Sequence, residues 1–350
     1  MESEPFSRLS LSIENLRFPL VLTIIMLHCY TSTSFITVGH QGYFRSVYPM
    51  ALWIGETGVP AYFFISGMLL FYSKKSYGQK LVSRVRTLLI PYLFYNSLIL
   101  IVYCLISLCG RPAVILEKDL SDYGFIDYLR AFWDRGVWSN GNGTPILSPF
   151  WYIRNLMVLV ILSPVFFYVL KYTKLLLPVL MGLLWINSHD NAYMLQSITM
   201  FSLGAYFPIN DKRPIVVFDQ YKYIILCMFF FLGILDVAHI FQNIPFPLQI
   251  HRLSLIVNVF FLLWIGECLS KWHLYSPFLS KSSFFFFCIH YPIVLGFRSV
   301  YSRLTNLPDI MLFLLYICNI MVITSICVLV YYLMRRTLPG FLNVITGSRN

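Results

Sequence analysis

Arg17 and His28 are the first residues whose types and spacing suggest chemistry. They stand eleven residues apart in the apolar stretch Glu14–Thr31. Eleven steps at 3.6 residues per turn make almost three turns of helix. The two side chains therefore share a face, about 16 Å apart along the axis. A guanidinium forks onto phosphate or carboxylate oxygens, and an imidazole exchanges a proton near neutral pH. A hydrocarbon layer is about 30 Å thick, so Arg17 at one surface places His28 near its middle. An imidazole is costly there and marks function, although arginine as a surface anchor and histidine as a helix tie are also possible roles.

The whole chain is built to supply such a layer. Its 350 residues are 58% hydrophobic and only 12% charged, with a mean hydropathy of +0.71. A soluble domain carries about 25% charged residues. The expected fold is all-α, a polytopic membrane protein of about ten transmembrane helices forming one domain over residues 1–350. The expected spans are Arg17–Phe35, Ala51–Tyr72, Leu88–Leu108, Phe150–Leu170, Leu175–Asn187, Tyr193–Phe207, Tyr221–Phe241, Ile250–Leu269, Ser283–Val300 and Pro308–Met334. Glu2, Glu4 and Glu14 are at odds with the basic start of a cleavable signal.

Charge placement orients these spans. Lys74, Lys75, Lys80, Arg84, Arg86, Lys171, Lys174, Lys212, Arg213, Lys271, Arg335 and Arg336 all fall on the side of the termini. The other side holds only Arg45, Arg111, Lys118, Arg130, Arg135 and Arg303. Cytoplasmic termini and an external loop at about 109–149 follow. The net charge of +11 is then mostly topology, and no nucleic-acid motif accompanies it. The eight cysteines sit almost wholly in apolar runs without ligand spacing, and read as small hydrophobes. His40, His189, His239, His251 and His273 are scattered, so no metal site is expected.

Lys80, Arg84 and Arg86 share Arg17's membrane face and with it form a cationic patch suited to phosphate, or simply an anchor. Ser66-Gly67 suits close helix packing. Asn96 and Asn258 suit ligand binding or helix ties.

Several stretches, in order along nearly the whole chain, resemble the acyltransferase 3 family of integral-membrane O-acyltransferases. They are Ile13-Glu14-Asn15-Leu16-Arg17-Phe18-Pro19-Leu20 with the R-x10-H pair, Val59–Leu69 with its FFxxSG-like run, and Arg86–Tyr92. Phe150–Leu156, Phe201–Tyr206 and Ile289-His290-Tyr291-Pro292 complete the series. One departure stands out: Ser83 occupies the first arginine's place in the family's R-x-x-R.

The resemblance implies an acyl-CoA co-substrate, acetyl-CoA first, with no permanently bound cofactor. It places Arg17, Lys80, Arg84 and Arg86 near the donor phosphates, and makes His28 and Arg17 the catalytic pair. Trp151, Arg154, His290 and Tyr291 would line the acceptor path. Glu56, Asp236 and Glu267 are the candidate carboxylates to orient His28. The implied reaction, at a plasma (inner) membrane, acylates a hydroxyl of a cell-surface glycan or its lipid-linked precursor. The contrasting reading is an exporter that uses the His/Arg pair as a proton and anion relay.

Overall fold

The computed structural model describes residues 4–30, 39–110, 114–115, 118–134, 143–188, 192–238, 245–272, 274, 276–301 and 307–348. Inside a bilayer no water can satisfy N–H and C=O groups, so apolar runs close their hydrogen bonds as helices. In chain order these are α1 Glu4–Cys29, α2 Gln41–Tyr48, α3 Gly58–Tyr72, α4 Tyr77–Arg84, α5 Ile90–Leu108, α6 Phe125–Ala131, α7 Trp151–Ile161 and α8 Ser163–Thr173. Then follow α9 Leu176–Asn187, α10 Tyr193–Ile209, α11 Pro214–Ala238, α12 Pro247–Lys271, α13 Pro277–Tyr301, α14 Asp309–Thr337 and α15 Pro339–Ile345. Among the described residues seven helices are long and apolar enough to cross a membrane, and eight if one bent pair is a single span. The fold is all-α and polytopic.

The bundle is organised around α1. Leu16, Leu20, Val21, Ile24 and Ile25 are buried, and α3, α12, α13 and α14 pack against the helix. A Cβ on Gly266 of α12 would meet the Ser12 carbonyl, and the Asn15 amide donates to the Gly266 carbonyl at 3.4 Å. The Tyr316 hydroxyl donates to the Met26 carbonyl at 3.0 Å.

Helices α3 and α10 approach even more closely. A Cβ on Gly204 would collide with the Phe64 carbonyl oxygen, and one on Gly67 with that of Phe201. Phe64-Ile65-Ser66-Gly67 and Phe201-Ser202-Leu203-Gly204 thus seat each glycine on the other helix's backbone. At the far end the Tyr72 hydroxyl donates to the Lys212 carbonyl at 3.4 Å. Ser66 also meets Tyr152, its Oγ 3.3 Å from the phenolic oxygen.

Several boundaries differ from those expected. Helix α1 begins at Glu4 rather than Arg17 and ends at Cys29, so His28 stands one residue from the helix end, packed against the middle of α13. The expected continuation to Phe35 lies outside the described residues. The stretch holding Lys80, Arg84 and Arg86 is helical, capped by Ser76 and Gln79 and passing through a π turn at Val85–Leu89 into α5. The expected single span Phe150–Leu170 breaks by 70° between α7 and α8. Pro164 has no N–H to return to the Val160 carbonyl, and its ring crowds the preceding turn. Cys109, Cys227 and Cys318 are exposed on the isolated chain, whereas Cys29, Cys288 and Cys327 are buried.

The segment between α5 and α7 has structure of its own. Strands β1 (Val114–Ile115) and β2 (Lys118–Asp119) pair antiparallel, and Lys118 reaches the Asp127 carboxylate of α6 at 2.6 Å. The segment is bound down by buried polar groups. Asn96 accepts from the Leu147 N–H at 3.1 Å, and the Tyr92 hydroxyl donates to the Phe132 carbonyl.

The α3–α10 contact generates a direct expectation. Gly67→Ala or Gly204→Ala inserts a methyl where a carbonyl already sits, at a cost of about 1–3 kcal/mol. Thermal unfolding of the detergent-solubilised protein should show both variants melting below the parent, with Gly78→Ala, whose added Cβ meets nothing, close to it.

Candidate active site

A cavity of about 590 Å³ opens where many helix ends meet. The C-terminal end of α1 contributes Ile24, Leu27 and His28. The turn before α3 contributes Leu52 and Glu56, and the starts of α7, α10 and α12 contribute Trp151, Tyr193, Gln196 and His251. Trp185, at the end of α9, Arg252 of α12 and Phe287 of α13 are also on the wall.

His28 lies against α13, its ring centroid 5.3 Å from that of His290 and 4.9 Å from that of Tyr291. His290 is wholly buried. Its Nδ1 lies 3.0 and 2.9 Å from the Phe286 and Phe287 carbonyls. Those oxygens only accept, so Nδ1 carries a hydrogen, and in the neutral ring the lone pair is on Nε2. Nε2 finds no hydrogen-bond partner among the described residues.

The carboxylates considered for His28 are used elsewhere. Glu267 pairs with Lys271 one turn along α12, at 2.8 Å. Glu56 and Asp236 both hold His251, with Asp236 Oδ2 2.8 Å from Nδ1 and Glu56 Oε2 3.0 Å from Nε2. His251, one of the histidines scattered through the sequence, is brought into the cavity by the fold. The Asp236 side chain is 0% exposed, that of His251 13% and that of Glu56 38%. Two ionised carboxylates can only accept, and a neutral imidazole has one hydrogen to give. The trio therefore shares one extra proton, on the ring or on a carboxyl group.

Two other buried cations serve the backbone. Arg154 donates to the Trp133 and Gly143 carbonyls and to Asn155 Oδ1 at 3.1 and 3.0 Å, so its guanidinium fastens the α5–α7 segment and is not part of the cavity wall. Arg252 donates to the Trp185 carbonyl and, at 2.7 Å, to that of Ser188, covering the C-terminal carbonyls of α9.

The residues named from sequence thus divide into two groups. His28 and Trp151 line the cavity, and His290 and Tyr291 stand behind His28. Arg17, Lys80, Arg84 and Arg86 are not on its wall. Arg17 is partly buried in mid-helix, its carbonyl accepting from the Tyr62 hydroxyl at 2.8 Å. Lys80 lies 5.7 Å above the Phe71 ring and Arg86 is exposed. Asn258 ties helices, its amide 3.0 Å from Thr57 Oγ1. Among the described residues no cluster of three or more His, Cys, Asp or Glu is placed to hold a metal; His189, His239 and His273 lie outside those residues.

Without Asp236, His251 keeps only the more exposed Glu56 as a partner and its inner nitrogen is left buried and unpaired. Asp236→Ala should therefore cost about 3–5 kcal/mol. Glu56→Ala, at the more exposed end, should cost under about 1 kcal/mol, a difference measurable by melting in detergent.

Comparison with known proteins agrees with this architecture. The family profile described as an acyltransferase domain, Acyl_transf_3, matches residues 10–332, and the chain belongs to that family. It is 26% identical over 321 residues to the succinoglycan biosynthesis protein ExoH of Rhizobium meliloti (strain 1021), covering 86% of this chain and 82% of that protein. No solved structure matches.

Proposed function

We propose that this member of the acyltransferase family transfers an acyl group, acetyl before others, from acyl-CoA to a hydroxyl of a cell-surface glycan or its lipid-linked precursor. The observation that carries this reading is the placement of His28 on a cavity wall with an unshared neutral histidine behind it. Family membership and the relative named for succinoglycan biosynthesis support the reaction class and acceptor.

In the proposed step His28 takes the proton of the acceptor hydroxyl as its oxygen attacks the thioester carbonyl. The C–S bond breaks, the imidazolium returns that proton to the leaving sulfur, and ester and free thiol result. The lone pair on His290 Nε2 is available to accept an N–H of His28, which would fix the tautomer and aim the other nitrogen at the acceptor. Arg17, Lys80, Arg84 and Arg86 serve the donor's phosphates. Trp151 and Tyr291 flank the acceptor, whereas Arg154 acts through the segment it fastens.

The same reading includes ten crossings, counting the bent α7–α8 pair, the short α9 and α10. Both termini are cytoplasmic and the membrane is the plasma (inner) membrane. The cavity walls support it: α1 and α9 contribute their ends, and α3, α7, α10 and α12 their starts, which in a ten-span alternation is one face. Reporters fused after Thr144 and after Arg213 should therefore report opposite sides. Matching signals would overturn the count.

Purified protein given radiolabelled acetyl-CoA and the host glycan should form acylated product. His28→Ala should lower the rate by about 10²-fold or more with folded protein retained. Arg17→Ala should raise the Michaelis constant for acetyl-CoA. Full transfer by the His28 variant would exclude the proposed base, and acceptor flux without acyl consumption would favour export.

A further inference from the structure

The acyl-transfer step gives the Glu56–His251–Asp236 trio no task, yet the trio fronts the cavity. Its order runs from the core outwards: Asp236 is wholly buried, His251 nearly so, and Glu56 extends onto the cavity wall. Ser254 Oγ lies beside the inner end, 2.7 Å from the His251 carbonyl and 3.4 Å from Asp236 Oδ2, with one hydrogen to give to either. Such a chain fixes the orientation of Glu56 without covering it. Its carboxylate has up to four acceptor positions, and only one oxygen is spent on His251.

The surrounding wall narrows what this acceptor is for. Trp151 and Tyr193 stack at 4.3 Å, close to parallel at 23°, and Trp185 and Gln196 share the wall with them. Arg252 shares the wall, but its guanidinium is turned onto the carbonyls of α9, and His251 is held between carboxylates, which leaves Glu56 as the oriented ionic acceptor facing a ligand. Flat aromatic faces beside an oriented acceptor and an amide match a ring with apolar C–H faces and a rim of hydroxyl donors. A carboxylate favours such donors and repels a ligand that is itself an anion.

We propose that this wall is a saccharide subsite, in which Glu56, positioned by His251 and Asp236, accepts hydroxyl hydrogens from a neutral pyranose beside the Trp151–Tyr193 pair. The ligand class is an uncharged hexose unit, as opposed to a uronate. The assignment deepens the acyl-transfer reading by naming the acceptor's binding group, and rests on that reading for the sugar's role as acceptor. Binding itself can be measured without any acyl donor, so the result stands or falls separately from catalysis.

The test titrates the full chain in detergent with methyl β-D-glucopyranoside and, separately, methyl β-D-glucuronide, followed by saturation-transfer NMR with no acyl-CoA present. The wild-type protein should bind the neutral glycoside at least about tenfold tighter than the anion, about 1.4 kcal/mol of discrimination. Glu56→Gln keeps the size and removes the charge, so it should weaken the neutral glycoside and erase the preference. Gln196→Leu leaves the ion-paired trio intact and should weaken the neutral glycoside, which keeps the proposal testable if the Glu56 variant does not fold. The proposal is overturned if wild type binds neither glycoside, or both alike. It is equally overturned if Glu56→Gln retains the parent's preference or Gln196→Leu its affinity.

Discussion

The meeting of two glycines with two carbonyls holds the rest of the site in place. Gly67 and Gly204 let α3 and α10 touch backbone to backbone, and between apolar helices such close packing substitutes for the hydrophobic drive that lipid does not provide. The consequence reaches beyond the crossing. Helices α3 and α10 start at the cavity, where the turn before α3 carries Glu56 and the first turn of α10 carries Tyr193 and Gln196. A crossing some ten residues away sets the distance between the carboxylate and the aromatic wall.

Around that fixed pair the cavity is made almost wholly of helix ends. Ends expose backbone groups with no partner in their own helix, and the protein satisfies several of them with buried side chains: Arg252 on α9, Arg154 on the α5–α7 segment, Asn96 on Leu147. Charge is thereby divided by task. The buried arginines hold carbonyls, the His251 trio holds its own extra proton, and His28 faces an uncharged neighbour in His290. Arg252 reaches the wall, but its guanidinium is spent on the carbonyls at the end of α9.

The sequence revealed this arrangement unevenly. The helical class, the importance of α1 and the packing role of Ser66-Gly67 follow from apolar runs and spacing, because these are local properties. The break in α7–α8 was also locally signalled, by Ser163-Pro164, but the uninterrupted hydropathy on either side hid it. His251 was missed for a different reason. Its partners lie 195 and 15 residues away, and no periodicity links such positions. Each member nonetheless carried a clue, since an ionisable group within or beside an apolar run needs a counterpart. The start of α1 at Glu4 was hidden for another reason, since hydropathy alone cannot show how far a helix extends into a flanking polar stretch.

Helix α9 has twelve residues, about 18 Å of helix, against a hydrocarbon layer of about 30 Å. Its last turn, at Trp185, is on the cavity wall, so the shortfall falls beside the site. Lipid next to a short apolar element thins locally to match it. Headgroups there are drawn inward, and an acceptor carried on a lipid has less hydrocarbon to cross before its polar part meets the cavity. Under the proposed acyl transfer, the acyl-chain length of the surrounding lipid would then be a variable of the reaction, with thick bilayers opposing access that thin ones permit.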